Sequence, residues 1–338
     1  MKGIVFLLFT VLSFNIANAQ LENTDKVKKS FETENKDTVA WIHGGIINIG
    51  INEGLLHNWA AGGELGSLTV NGLFSGFLTR LNHNQIWTSN LDLTYGLFYA
   101  YSNAFIPRKT DDRIDLTSKY GFRLDTSNFY FTGLFNFRSQ FTKGYDYQTP
   151  GWDTFSTSKF LSPAYFTLAA GMEYRKGADF SLFLSPVAAR LTLVNAYYTN
   201  MYPEGAFGVE HGKTSRMELG AYFSGRYSTG ISKKVSYKTR LDLYSNYLAK
   251  DIKDSMGRVV KKDNPGNIDI LWDNLVVINI SKYFAATVGA TFIYDNDVPY
   301  KNTYVGATGT TVKKDEPAQG LGWVQMKQIF TLGFKYKF

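Results

Sequence analysis

Cysteine is absent from all 338 residues. Its absence excludes disulfides, thiolate metal sites, cysteine nucleophiles and a lipid anchored on a cysteine. Proline is scarce, with 8 in the chain, so little interrupts extended segments. Beyond residue 20 there is no run of about eighteen apolar residues, which leaves no segment for a membrane helix. Histidine is also rare, and His43, His57, His83 and His211 include no i,i+4 pair of the kind that holds zinc on a helix.

What is abundant points the other way. Aromatics make up 16% of the chain, with 26 Phe and 22 Tyr, beside 31 Gly. Many aromatics without hydrophobic spans fit extended strands that have one greasy face and one polar face. The first residues, "MKGIVFLLFTVLSFNIANAQ", join a basic Lys2, an apolar core over Ile4–Phe14 and small Ala17 and Ala19 before Gln20. This pattern predicts a secretory signal over 1–19, the apolar core being too short for a membrane anchor. The polar, aperiodic stretch 20–39 reads as a flexible periplasmic lead-in.

From Trp41 onward the period is two. In "IWTSNLDLTYGLFY" Trp87, Leu91, Leu93, Tyr95, Leu97 and Tyr99 share one face, and Thr88, Asn90, Asp92, Thr94 and Gly96 take the other. "RIDLTSKYGFRL" and "RMELGAYFSGRY" repeat the pattern. A helix would separate residues two apart, so these are strands. About a dozen are predicted: 40–53, 66–81, 85–102, 112–125, 128–144, 160–176, 179–194, 214–229, 234–249, 266–281, 283–296 and 321–338. Several exceed the roughly 9–11 residues that cross a bilayer at a tilt. Short connections such as "DTSN" and "RKGA" alternate with long ones such as "NAYYTNMYPEGAFGVEHGK". Short periplasmic turns and long outside loops mark an outer-membrane barrel.

The expected fold is therefore all-β: a transmembrane antiparallel up-and-down β-barrel of about twelve strands over 40–338, in the bacterial outer membrane after export. The last strand carries Phe334, Tyr336 and the terminal Phe338 on one face, which resembles the signal read by barrel-assembly machinery. Left as a free edge, such a strand would invite aggregation; pairing with the first strand removes that edge.

Several stretches also resemble one exported family of Bacteroidota-type bacteria. They are Asn58-Trp59-Ala60-Ala61-Gly62-Gly63-Glu64, Ser89–Gly96, Lys109–Gly121, Phe160–Tyr174, Phe180–Pro186, Gly205–Tyr222 and Leu241–Tyr247. The family is known as a domain of unknown function, number three thousand and seventy-eight. The resemblance implies an outer-membrane barrel and supplies no activity or functional residue.

Charges on the polar faces must point into the bore, because a charge facing lipid costs about 2–4 kcal/mol at the midplane. The candidate luminal set is Asp92, Asp115, Lys119, Arg123, Arg138, Glu173, Arg175, Arg216, Glu218, Arg226, Lys238, Arg240 and Asp242, and Arg113, Arg190, Asp269, Asp273 and Lys327 share its parity. The leading expectation is a narrow bore with a basic excess, a passive or weakly anion-selective conduit for small solutes. The alternative is a bore plugged by ion pairs, an accessory barrel whose outside loops bind a surface protein complex; a membrane-embedded hydrolase comes after both. The loop Asn58, Trp59, Gly62, Gly63 and Glu64 is either a hairpin cap or an inward constriction, with Glu64 facing a luminal or rim arginine.

Enzymatic and metal readings fare worse. "GKT" at Gly212–Thr214 has Phe207 where a phosphate loop needs its first glycine, and no helix is predicted after it. No serine–histidine pair declares itself, and Asp111-Asp112 and Asp295-Asn296-Asp297 lack the spacing of a calcium loop. The chain is expected to be neither an enzyme nor a cofactor protein. Its net charge of +7 comes with lysines scattered over loops, which suits lipopolysaccharide phosphates better than nucleic acid. The expected partners are outer-membrane lipid and lipopolysaccharide, the assembly machinery and a surface protein.

Overall fold

The alternating segments form long strands, and their hydrogen bonds close into a ring. The computed structural model describes residues 40–56, 64–125, 127–147, 151–177, 179–201, 205–253, 259–261, 263–295, 303–305, 311–313 and 324–337. The expected signal and lead-in lie outside these residues. Twelve strands make the wall: β1 (Ala40–Leu55), β2 (Gly66–Asn82), β3 (Gln85–Ala100), β4 (Arg108–Arg123), β5 (Phe129–Ser139), β6 (Ala164–Lys176), β7 (Phe180–Leu193), β8 (Ser215–Gly230), β9 (Val235–Asn246), β10 (Asp269–Asn279), β11 (Phe284–Tyr294) and β12 (Gln325–Lys337). Each is antiparallel to its neighbours in sequence, and β12 returns to β1.

Most boundaries move by a few residues, β6 beginning at Ala164 where 160 is expected and β9 ending at Asn246 where 249 is expected; for two of the shifts the physical reason is plain. β4 begins at Arg108, not near 112, because the ladder shifts register after Gly96: Gly96 faces Asp111, while Leu97 faces Lys109. The bulge absorbs Thr110 and lets Asp111 and Asp112 sit in the wall instead of in a loop. β5 stops at Ser139 because the chain then turns into a small hairpin, Gly144–Tyr145 against Ser156–Ser158.

Strand parity sorts the side chains. Trp41, Ile49, Leu168, Leu184, Met217, Trp272 and Phe330 are exposed on the outside, while Asn48, Thr167, Arg190, Glu218 and Thr331 are buried within. An apolar belt around the whole ring is a lipid-facing surface. Aromatics gather at both of its edges. Near the short turns, ring centroids lie 6.3 Å apart for Trp41–Trp87, 5.2 Å for Phe129–Tyr174 and 6.4 Å for both Tyr174–Phe180 and Phe180–Tyr227. Toward the long loops, Phe137–Phe166 at 5.0 Å and Trp272–Phe292 at 5.3 Å continue the pattern. Polar tips are satisfied inside the wall, with Trp87 Nε1 donating to Ser118 Oγ at 2.8 Å and Trp272 Nε1 to Thr239 Oγ1 at 3.0 Å. These are aromatic girdles, greasy in body and polar at the tip.

The closing seam is short. β1 meets β12 only from Ile46↔Lys337 to Gly50↔Gly333, whereas β1 meets β2 along its whole length, from Ala40↔Leu81 to Leu55↔Gly66. The expected removal of the edge is thus achieved over the middle of β1 and the last part of β12.

Some strand contacts tolerate no side chain at all. A Cβ on Gly171 would lie 2.1 Å from the Leu184 carbonyl oxygen, at the β6–β7 register shift. Backbone on both sides leaves nothing to rotate away. Gly133 meets nothing nearer than the Tyr120 carbonyl oxygen at 4.0 Å. Gly171→Ala should lower stability by about 1–3 kcal/mol, as overpacking does, and Gly133→Ala should leave it nearly unchanged. The temperature at which the folded band disappears in unheated-versus-heated gel electrophoresis reads both.

Candidate functional site

Many charges on the described inner faces bond to neighbours from other strands, and some of those neighbours come from the far wall. Arg113 on β4 donates from Nη1 and Nη2 to the two carboxylate oxygens of Asp273 on β10, at 2.9 and 3.0 Å. β4 and β10 are six strands apart in a ring of twelve, so this bidentate pair spans the bore. Arg240 on β9 reaches Asp115 on β4 at 2.9 Å and Asp242 on its own strand at 2.5 Å. Asp115 also receives the Asn136 amide at 2.8 Å, and Asp273 the Thr291 hydroxyl at 2.7 Å. Asp242 accepts from Ser224 at 2.7 Å. The result is one connected layer, Arg113–Asp273 and Arg240–Asp115–Asp242, that links opposite sides of the wall.

Two further clusters flank it. Toward the short turns, buried Glu173 takes Lys119 at 2.9 Å and Arg175 at 2.9 Å. Toward the long loops, Arg190 bonds Glu218 at 2.9 Å and Asp269 at 2.5 Å and lies over the Tyr244 ring, 3.8 Å from its centroid. Arg216 also pairs with Glu218, at 3.1 Å. Lys238 of β9 reaches across to Asp92 of β3 at 3.8 Å and donates to Ser75 at 3.2 Å. Asp115, Glu173 and Glu218 are at most 2% exposed. Charges so far out of water persist only when paired and hydrogen-bonded.

All thirteen candidate luminal residues therefore lie on inward positions. Arg123 sits at the short-turn end, its Nε donating to the Ser127 carbonyl at 2.8 Å. Arg138 lies over Tyr165, 5.6 Å from the ring centroid. Neither Arg138 nor Arg226 makes an ion pair within 4 Å among the described residues, although Arg138 acts on Asp115 and Arg226 on Asp242 at longer range, and the Nε of each is buried and unbonded. Arg226 stands directly opposite Arg240 in the β8–β9 ladder. The residues that sequence reasoning missed are the uncharged partners Asn136, Ser224, Thr291 and Tyr244. Their inward parity was readable, but a threonine or tyrosine on a polar face carries no mark of what it will meet.

The loop motif divides. Asn58, Trp59, Gly62 and Gly63 lie outside the described residues. Glu64 accepts from the Ser102 amide at 2.8 Å and the Ser102 hydroxyl at 2.6 Å, and the positive charge of Arg108 acts on it as well. Those bonds hold its carboxyl below the ordinary glutamate range, the side-chain hydroxyl contributing most. Asp111 and Asp112 are occupied as well, Asp111 by Lys327 at 2.6 Å, Asp112 by Lys109 at 2.8 Å and by the Phe141 and Thr142 amides. Phe334 and Tyr336 are exposed on the lipid face of β12, and Phe338 lies outside the described residues.

Comparison with known proteins adds the following. A family model described as "Protein of unknown function (DUF3078)" matches residues 51–145. No curated protein matches the chain. Among solved structures, the translocator domain of the autotransporter NalP from Neisseria meningitidis is 10% identical, over 95% of this chain and 96% of that one, with a TM-score of 0.34. The COG4313 outer membrane channel from Pseudomonas putida F1 is 12% identical over 90% and 98%, with a TM-score of 0.29. A Pseudomonas aeruginosa FadL homologue is 10% identical over 88% and 90%, with a TM-score of 0.26.

Removing Asp115 takes away the carboxylate between Arg240 and Arg113, leaving the first to Asp242 and the second to Asp273. Asp115→Ala should cost about 3–5 kcal/mol, the usual range for breaking a buried pair, against less than half of that for Arg123→Ala at the rim. Urea unfolding in lipid vesicles, followed by tryptophan fluorescence, measures the difference. At Glu64 the sign is that of a depressed carboxylate: its stabilising bonds are complete above the unfolded-state pKa and are lost as pH falls through the lower folded one. The Ser102 amide should therefore keep its hydrogen-exchange protection below the ordinary glutamate range and lose it at still lower pH.

Proposed function

We propose that this protein is an outer-membrane barrel with a closed bore, whose long loops face the outside and dock a surface component. The observation that carries the reading is the pair of bridges joining opposite walls, Arg113–Asp273 and Arg240–Asp115. A small barrel has little interior to spare, and long arginine side chains tied at both ends occupy what there is. An open conduit would leave its charges facing water; here Asp115 and Asp242 at mid-bore are buried. The apolar belt with its two girdles supports insertion in a lipid bilayer, and the alternation of short and long connections supports loops on the outer side. Lipopolysaccharide at the rim and the assembly machinery at β12 are the partners this placement implies. The reading assigns no catalysis.

A second reading rests on Arg138 and Arg226. Arginines not held in a close ion pair would favour anions if the central layer opened, making the same barrel a gated, anion-preferring pore.

Conductance in planar bilayers tests the proposal. The wild-type protein should insert silently, and Arg113→Ala combined with Arg240→Ala should produce stable current steps. Steps from the unaltered protein would overturn the closed-bore reading and return the conduit.

A further inference from the structure

The long connections carry a second polar site, clear of the bore. The β5–β6 connection holds the hairpin Gly144–Tyr145 with Ser156–Ser158, and the β7–β8 connection holds a short helix, Ala196–Thr199. The helix rests on its own apolar cluster of Val194, Tyr198 and Val209. The connections are fastened together, Tyr198 OH meeting Ser156 Oγ at 2.9 Å and the Asn195 amide donating to Ser162 Oγ at 3.0 Å. On the far side, Tyr145 packs against Trp152 with centroids 5.5 Å apart, and Tyr147 OH accepts from the Lys109 amide at 2.7 Å. Between the two connections lies a cavity of about 230 Å³, lined among others by Lys143, Lys159, Asp153, Ser156, Tyr145 and Tyr197.

Three features of the cavity point to a ligand. Its walls are set by hydrogen bonds and ring packing, so its shape is preformed. Its volume falls just below the roughly 300–1,000 Å³ of drug-sized sites, which suits one small ring. Its charges are open to a ligand: Lys143 and Asp153 are exposed and Lys159 half-buried, and none of the three makes an ion pair among the described residues.

We propose that this cavity binds a carboxylated sugar ring. Lys143 and Lys159 take the acid through charge-assisted bonds. Tyr145 and Tyr197 offer aromatic faces to the ring, and Asp153 and Ser156 accept or donate to its hydroxyls. The site deepens the docking reading by naming the class of surface component that the loops take. It rests on that reading only for facing outward, so binding to purified protein and bilayer conductance fail independently.

Isothermal titration of the detergent-purified full chain with glucuronate, glucose and acetate is the test. Glucuronate should bind at least about tenfold more tightly than either control, since the acid and the ring each add a contact worth about that factor. Lys143→Ala with Lys159→Ala should weaken glucuronate about tenfold or more while the heat-modifiable folded band persists. Tyr197→Ala, at an exposed position, should weaken glucuronate and glucose alike. Equal binding of acetate and glucuronate would reduce the site to a simple anion trap and overturn the proposal. Equal binding of glucose and glucuronate, or no binding of glucuronate by folded protein, would overturn it as well. Tighter binding of polyglucuronic acid than of the monomer would assign the site to a surface polymer, and the reverse to a free sugar; both sustain it.

Discussion

Hydrocarbon offers a backbone amide nothing to bond with, so a sheet that enters lipid must satisfy its own N–H and C=O groups by closing. The rest of this molecule follows from that closure. Twelve strands in one antiparallel ring put alternate side chains on two surfaces of opposite character. The outer surface meets lipid and is apolar, with aromatics whose polar tips bond within the wall. The inner surface receives the charges that lipid rejects, and the ring confines them to a narrow space.

Confinement forces pairing. A carboxylate such as Asp115, almost fully removed from water, stays ionised only with cations and donors around it. Its own strand neighbours do not suffice. Arg240 and Asn136 come from other strands, and Arg113 divides itself between Asp115 and the far-wall Asp273. The bore is thus crossed by the same bonds that neutralise it. Backbone contacts too close for a Cβ, as at Gly171, let neighbouring strands approach where the ladder changes register.

The loops obey a different constraint. In water their amides could stay solvated, yet the β5–β6 and β7–β8 connections build a hairpin, a helical turn and an apolar cluster of their own. Order of that kind costs conformational entropy, and here the packing of Tyr198 and Val209 and the bonds between the two connections offset it. The cavity they share sets Lys143 and Lys159, without an ion pair among the described residues, beside tyrosine rings.

The sequence by itself determined the strands, their faces and the identity of the luminal charges. Period-two alternation is local: each of Asp92, Glu173 and Arg240 declares its side of the wall through its nearest neighbours. The alternation of connection lengths likewise told one end of the barrel from the other. Only the tertiary structure decided which charge meets which. Arg240 and Asp115 are 125 residues apart, and Arg113 and Asp273 are 160 apart. Their meeting depends on strand number, on register and on a bulge at Thr110 that no local pattern announces. Glu64 shows the same limit in a loop: its hydrogen bonds go to Ser102 on another connection, which no local pattern announces. Parity is written residue by residue, whereas partnership across a bore exists only once the ring has closed.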